Sequence, residues 1–278
     1  MNVFNNEPAL YTKLDLQCSD GSLLRGALLD GYDLLLEKLA GGVMPVFDGI
    51  DLLKEESSRQ VFIGSLADGN KVFTKMYREN GFLAWMTRMM FSSKAERSHR
   101  RVKTLLNCGL QTPSSIGYLN EYNGQTFRSY HFSEYIDGVE TLEGALRGGD
   151  SEQTLITSWI DSIISQLSSL HGAGYCHGDT KLSNFLCKGV DVYFVDLDGV
   201  GKISKKRTPE RDIARFIVGL SEINELDINY KKLIADYKAL AQSGEQLIIW
   251  KIETLVKKFQ HNHKIKYGRE PAYIELNA

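Results

Sequence analysis

Apolar side chains recur at positions 155, 156, 159, 160, 163, 164, 167 and 170 in "SEQTLITSWIDSIISQLSSLHGAG". Steps of three and four lay one wide stripe along an α-helix, and that stripe must be covered by the rest of the chain. Gly172 and Gly174 close the helix. Immediately beyond come "HGDTKLSNFL" (177–186), rich in polar groups, and "VDVYFVDLDG" (190–199), a short apolar run ending in acids. A buried helix, a polar loop and a short buried strand or hairpin arm thus follow in strict succession.

The chain upstream has a different character. "RQVFIGSL" and "KVFTKMY" are β-rich runs joined by "ADGN", and Asp-Gly between such runs signals a hairpin. "FSSKAERSHRRVKTLLNCG" reads as a helix that Ser92 or Ser93 caps and Gly109 ends. A second β region spans Ser115 to Tyr135, with a turn at Asn123-Gly124. In residues 1–50, "GSLLRGALLDGYDLLLEKLAGG" has room for a short helix stopped by Gly41 and Gly42. From Pro209 to about Gln260 the pattern is mostly helical. The expected class is α+β, with a β-rich N-terminal lobe over 1–135 and a mainly helical lobe over 136–278. The change falls near Glu134–Gly138.

Composition narrows the partners. With 42% hydrophobic and 24% charged residues, the chain can bury a sizeable core. A net charge of -2 gives no general attraction to nucleic acid, so none is expected as a partner. The cysteines Cys18, Cys108, Cys176 and Cys187 form no CxxC pair and suit reduced thiols in a cytoplasmic protein. "MNVFNNEPAL" lacks the basic and apolar regions of a signal peptide. No apolar run approaches the ~20 residues of a membrane-spanning helix. "HNH" at 261–263 has no further ligands around it and reads as a solvated tail.

The acids and the lysine of the polar loop carry a chemistry together. Asp179 can orient a hydroxyl and accept its proton. Asn184 offers a neutral oxygen to a hard cation, and Asp196 an anionic one. Magnesium favours such oxygen ligands and keeps water and phosphate oxygens in its shell. Lys181 can neutralise a phosphoryl group in flight. Positioning, cation binding and charge neutralisation are what phosphoryl transfer requires.

The ordered set Asp179, Lys181, Asn184, Asp196 resembles the catalytic loop and metal-binding D-F-G element of the protein-kinase-like superfamily. That resemblance implies a bilobal fold, ATP, and Mg2+ held by Asn184 and Asp196. It implies a strand lysine for the α/β phosphates, and Lys75 in "VFTKMYR" takes that place. The lysine's partner should be a glutamate on the next helix. Glu96 is the one acid between Asn80 and Asn120; a helix-surface pair with Arg100 at i+4 is the alternative. "HFSEYIDG" is similar to the hinge, where the backbone of Glu134 and Ile136 would meet the adenine edge. One part departs from the pattern. No GxGxxG precedes Lys75; "KEESSRQV" stands there instead, with Ser57 and Ser58 supplying the turn.

Gly178 stands where protein kinases carry arginine. "HGDTKLSNFL", "VDLDG", "RDIARF" and "SKAERSHRRVKTLLNCGLQTP" together resemble the lipopolysaccharide core kinases, which phosphorylate heptose or Kdo (3-deoxy-manno-octulosonic acid) of the bacterial inner core. The resemblance covers roughly residues 50–220. It implies that Asp212 braces the loop backbone, against the alternative of an exposed acid at a helix start, and that His177 is structural. Asp198 either reaches the metal through water or caps the turn. It also implies a lipopolysaccharide core acceptor and a cytoplasmic protein, with peripheral contact with the inner membrane left open. There "FLAWMTRMMF" and Lys94, Arg97, Arg100, Arg101 and Lys103 would form a basic-aromatic patch, unless they are core packing and a solvated face. An atypical Ser/Thr protein kinase is the alternative enzyme, disfavoured by the short stretch between Asp198 and Pro209. A pseudokinase acting as a binding module is the alternative from another class.

Overall fold

In a computed structural model, the protein is described over residues 11–17, 21–32, 47, 49–66, 68–80, 91–123, 126–149, 151–223, 226–240, 248–269, 274 and 276. The chain divides into two compact units: Met1–Lys103 with Pro113–Ile136, and Thr104–Thr112 with Asp137–Ala278.

The first unit is built on a seven-stranded antiparallel sheet: β1 (Tyr11–Gln17), β2 (Leu23–Leu29), β3 (Gly49–Glu56), β4 (Arg59–Ser65), β5 (Lys71–Asn80), β6 (Ser115–Asn123) and β7 (Thr126–Glu134). Their order is β1-β2-β6-β7-β5-β4-β3. The β4–β5 hairpin closes through Leu66 and Asn70, as the Asp-Gly signal implies, with Gly69 left-handed at φ 84°. Leu28, Phe62, Val72, Met76, Ile116, Leu119 and Phe132 form the core on this sheet. Helix α1 (Lys94–Asn107) starts where Ser93 Oγ accepts the Glu96 N–H at 3.0 Å and stops at left-handed Gly109.

Strand β2 is an element that the sequence pattern does not disclose. "LLRGALL" favours helix locally, yet it pairs with β1 on one side and β6 on the other. Gly26 permits the second pairing: a Cβ there would lie 2.1 Å from the Tyr118 carbonyl oxygen. The helix expected before Gly41 and Gly42 lies outside the described residues, as does the 82–90 part of the basic-aromatic stretch. Of the rest of that stretch, Phe91 is exposed, and Lys94, Arg97, Arg100, Arg101 and Lys103 lie on α1.

The second unit contains α2 (Leu142–Gly148), α3 (Gln153–Gly172), α4 (Pro209–Ser221), α5 (Tyr230–Leu240) and α6 (Ile249–Tyr267). Short strands β8 (Glu140–Thr141), β10 (Phe185–Lys188) and β11 (Asp191–Phe194) make one small sheet; β9 (Tyr175–Cys176) and β12 (Gly201–Lys202) make another. Helix α3 buries Ile156, Trp159, Ile160, Ile163, Ile164, Leu167 and Leu170, the stripe read from its spacing. Trp159 donates to the Gly189 carbonyl at 2.8 Å, and buried Gln166 donates to that of Val192 at 3.1 Å. These two bonds fix the β10–β11 hairpin on the helix. Among the described residues no helix is long and apolar enough to cross a membrane.

Candidate active site

The polar loop between β9 and β10 is held from beneath by one buried acid. Asp212, 2% exposed on α4, accepts the backbone N–H of His177 at 2.7 Å and of Gly178 at 2.9 Å. Its Oδ2 also accepts from His171 Nε2 at 3.1 Å, and the other His171 nitrogen meets the Tyr237 hydroxyl at 2.6 Å. Thr180 Oγ1 donates to the Asp212 carbonyl at 2.6 Å. Burial alone would push the Asp212 carboxyl up. The His171 hydrogen bond, the His171 and His177 rings and the Gly178 amide outweigh it and hold the group below its ordinary range. Asp212 therefore braces the loop and is not an exposed helix-start acid.

His177 is fully buried, and burial lowers its pKa against the pull of Asp212, Asp179 and Asp196. Its Nδ1 accepts the Asp179 N–H at 3.4 Å, and its ring packs 5.6 Å from that of Phe194. It is a structural residue of the loop. His171, Cys176 and Asp212 bring three possible metal-ligand atoms within 4.8 Å of one another, but these His171 and Asp212 atoms are taken up by the hydrogen bonds just described.

The loop is then closed against the "VDLDG" segment. Gly178 is left-handed at φ 82°, and a Cβ on it would sit 2.6 Å from the Gly199 carbonyl oxygen. A Cβ on Gly199 would in turn lie 2.8 Å from the His177 carbonyl oxygen. The two backbones touch, so neither position admits a side chain. This is the physical reason for glycine, and not arginine, before the aspartate. Val195 N–H donates to the Asn184 carbonyl at 2.9 Å and joins the two segments again.

Asp179, Lys181 and Asn184 meet on this base. Asp179 Oδ2 accepts from Lys181 Nζ at 3.0 Å and from Asn184 Nδ2 at 3.2 Å. Asn184 Nδ2 also donates to the Asp179 carbonyl at 2.8 Å. With its amino end committed to Asp179, the Asn184 amide has its oxygen left for a cation, which is the ligand type magnesium takes. Asp196 follows β11 in the left-handed region at φ 57°, ψ 58°, the one non-glycine residue with positive φ among the described residues. An L-residue there costs roughly 1–2 kcal/mol. Such a conformation persists only where the surrounding structure holds it in place. Asp198 lies in the 3₁₀ turn Leu197–Gly199.

Arg215 was missed by the sequence reading. From α4 it donates through Nη1 to Asp179 Oδ1 at 2.8 Å and to the Gly178 carbonyl at 2.6 Å. Its guanidinium lies 5.4 Å from the centre of the Phe259 ring on α6, which Arg211 also faces at 5.5 Å. The signal was present in "RDIARF": position 215 is three residues after Asp212 and so shares its helix face.

The other expected site residues belong to the sheet-bearing unit. Lys75 lies on β5, in register with Val61 of β4 and His131 of β7. Burial, followed by the Lys75 charge and that of His99, lowers the His131 pKa to about 3. Glu96, on the first turn of α1, pairs with Arg100, the alternative noted above. Ser57 and Ser58 form the two-residue turn between Glu56 and Arg59, and the Ser58 carbonyl accepts the Arg78 N–H at 2.9 Å. Glu134 ends β7 and donates its N–H to the Ser114 carbonyl at 2.9 Å; Ile136 follows as half-buried coil. "HNH" lies within α6, where His263 binds Glu222.

Three comparisons bear on this arrangement. A family model described as the lipopolysaccharide kinase (Kdo/WaaP) family matches residues 52–262. The lipopolysaccharide core heptose(II) kinase WaaY of Escherichia coli (strain K12) is 28% identical over 158 residues. That match takes in 49% of this chain and 64% of the relative, a little under two thirds of its length. The solved structure of an amicoumacin kinase, hAmiN, in complex with AMP-PNP, Ca2+ and Ami, superposes with a TM-score of 0.54 at 11% identity. It covers 86% of this chain and 85% of that one, which establishes a shared kinase-like fold.

Proposed function

The chain belongs to the lipopolysaccharide kinase (Kdo/WaaP) family, and we propose that it transfers the γ-phosphate of ATP, with Mg2+, to a heptose or Kdo hydroxyl of the lipopolysaccharide inner core. The observation that carries this reading is the set of donors around Asp179. Arg215 holds Oδ1, while Lys181 and Asn184 share Oδ2. A carboxylate clamped on both oxygens keeps one orientation, so an acceptor hydroxyl bound to it is aimed before reaction. It orients the hydroxyl first and takes its proton late, as suits a loose phosphoryl-transfer transition state.

In this reading Lys181 is positioned to turn from Asp179 to the phosphoryl group as negative charge spreads over its oxygens. Asn184 Oδ1 and Asp196 would hold Mg2+, which when bound neutralises charge on the phosphates. Lys75 would hold the α/β phosphates, with Glu96 exchanging Arg100 for Lys75. The Ser57–Ser58 turn would cover the phosphates in place of a glycine-rich loop. The backbone of Glu134 and Ile136 would meet the adenine edge; because the Glu134 N–H is committed to Ser114, its part falls to the carbonyl.

The segment before α4 favours a saccharide over a peptide acceptor. Ser204 and Arg207 pair across a tight turn, and Arg207 Nε donates to the Gly199 carbonyl at 3.1 Å. Little chain remains to form an extended platform for a peptide. The proposed location is the cytoplasmic face of the inner membrane, where a peripheral enzyme would meet its lipid-linked acceptor. Incubation with γ-labelled ATP, Mg2+ and purified lipopolysaccharide tests the reading. Label is expected in the core and not in generic proteins. Labelled serine in a protein, with no label in lipopolysaccharide from several heptose- and Kdo-containing sources, would replace it with an atypical protein kinase.

A further inference from the structure

Arg215 meets the polar loop through a single nitrogen. Its Nη1 donates both to Asp179 Oδ1 at 2.8 Å and to the Gly178 carbonyl at 2.6 Å. A guanidinium can instead offer a carboxylate two parallel bonds from a planar fork, and that geometry fixes its plane. Here both acceptors share Nη1, while Nε and Nη2 meet no acceptor among the described residues. Two bonds at one nitrogen leave the plane of a long, flexible side chain to be held in another way.

Phe259 lies against it. The Arg215 guanidinium carbon stands 5.4 Å from the ring centre, inside the ~6 Å over which an aromatic face attracts a cation. The ring is 8% exposed, so the attraction acts away from water, where it is strongest. Arg211, one turn earlier on α4, stands 5.5 Å from the same ring and forms no ion pair among the described residues.

The ring is itself fixed. Helix α6 packs on α4, and Ile252, Val256 and Phe259 are buried at helical spacing. Near the start of α6, Lys251 Nζ meets Glu210 Oε2 at 3.0 Å. At the other end His263 and Arg269 both bind Glu222, the residue after the last turn of α4. These ion pairs pin α6 to both ends of α4, and Phe259 lies between the pins. Packing alone asks for an apolar side chain at 259. It does not ask for two arginines of α4 to turn their guanidinium groups to one ring.

We propose that Phe259 is a positioning residue for phosphoryl transfer: its ring holds the Arg215 guanidinium in the orientation from which Nη1 clamps Asp179. Helix α6 thereby sets the aim of the carboxylate while giving no group to the reacting atoms. This rests on the kinase reading and adds the element that keeps Asp179 oriented.

The test uses Phe259→Leu, which keeps an apolar side chain in the interface and removes the aromatic face. Phe259→Tyr keeps the face, and Phe259→Met replaces the leucine variant if that protein does not fold. With γ-labelled ATP and saturating core acceptor, Phe259→Leu should lower kcat roughly fivefold, the scale of one desolvated cation–π contact. The KM for ATP should stay unchanged, and Phe259→Tyr should restore kcat. In an Arg215→Ala background Phe259→Leu should cause no further loss, because the ring acts through the arginine. Arg211→Gln, which removes the other cation from the ring, should stay within about twofold of wild type. A kcat of Phe259→Leu within twofold of wild type would overturn the proposal. So would the same loss repeated in the Arg215→Ala background, or an equal loss in Arg211→Gln, since either would report general packing of α6 on α4.

A readout without substrate separates this claim from the kinase reading. Nitrogen NMR of isotope-labelled arginine, with Arg215 assigned by its loss in Arg215→Ala, reports whether the guanidinium is held. Separate Nη signals are expected in the wild type and Phe259→Tyr, and one merged signal in Phe259→Leu. That result, with no phosphate transfer by the wild type, would defeat the kinase reading and uphold the hold of Phe259 on Arg215. A merged signal in the wild type, or separate signals kept in Phe259→Leu, would overturn the proposal whatever the activity.

Discussion

Alanine at position 178 should be one of the most damaging single-methyl changes in the helical unit. The backbone there has φ 82°, where an L-residue costs roughly 1–2 kcal/mol relative to glycine. The added Cβ would also meet the Gly199 carbonyl oxygen at 2.6 Å. That carbonyl has little freedom to retreat, because it accepts Arg207 Nε at 3.1 Å and its own residue abuts the His177 carbonyl. Overpacking of this kind adds about 1–3 kcal/mol. The sum is about 2–5 kcal/mol, a fall in Tm of roughly 5–15 °C for a unit of this size. Differential scanning calorimetry of Gly178→Ala against wild type measures it. Gly172→Ala, inside α3 with nothing within 4 Å of its Cβ, is the control and should be neutral or stabilising. Gly178→Arg, which installs the residue of protein kinases, should do no better than Gly178→Ala. A Gly178→Ala protein within ~0.5 kcal/mol of wild type, the ordinary scatter of surface changes, would refute the claim that backbone contact dictates glycine here.

Arg215→Ala should lower kcat at least ~10-fold while leaving the KM for ATP unchanged, because it frees Asp179 Oδ1 without touching the expected nucleotide residues; steady-state kinetics at saturating acceptor reads the split. Buried His131 has its folded pKa lowered to about 3. The unfolded chain then binds the extra proton, and stability falls as pH drops from ~6.5 toward 3, by about 2 kcal/mol at pH 5. His131→Gln should flatten that part of the urea-melt profile. Asp212→Asn should cost about 2–4 kcal/mol at pH 7 through weakened bonds to His177 and Gly178. Because the Asp212 pKa is lowered on folding, this cost is full above ~3.9 and disappears as pH falls through the folded value; denaturation of both proteins at pH 7 and below 3.9 checks it.

The polar loop 177–186 stood out in the sequence because the chemistry proposed for it needs particular atoms in a particular order. The structure brings Asp179, Lys181 and Asn184 together on that loop, as their spacing implies. The α3 stripe was legible for a related reason: one helix face alone sets its period. Strand β2 was hidden because its Leu- and Ala-rich stretch says helix locally. Its conformation comes from β6, about ninety positions away, and from the small volume of Gly26. Gly178 was visible as a departure from protein kinases, but its cause, the approach of Gly199, exists only in three dimensions. Arg215 was overlooked because an arginine on an amphipathic helix is ordinary until the loop above it is placed.

The account turns on whether Asp179 and its donors move a phosphate onto a core sugar in the cell. Mass spectrometry of lipopolysaccharide from a strain lacking the gene, complemented with the wild type or with Asp179→Asn, measures this directly. The wild type should restore one phosphate to the inner core. Asp179→Asn, folded and expressed equally, should fail to do so, because loss of a proton-accepting group lowers turnover by ~10²-fold or more. Core phosphate that is unchanged by deletion, or fully restored by Asp179→Asn, would contradict the account.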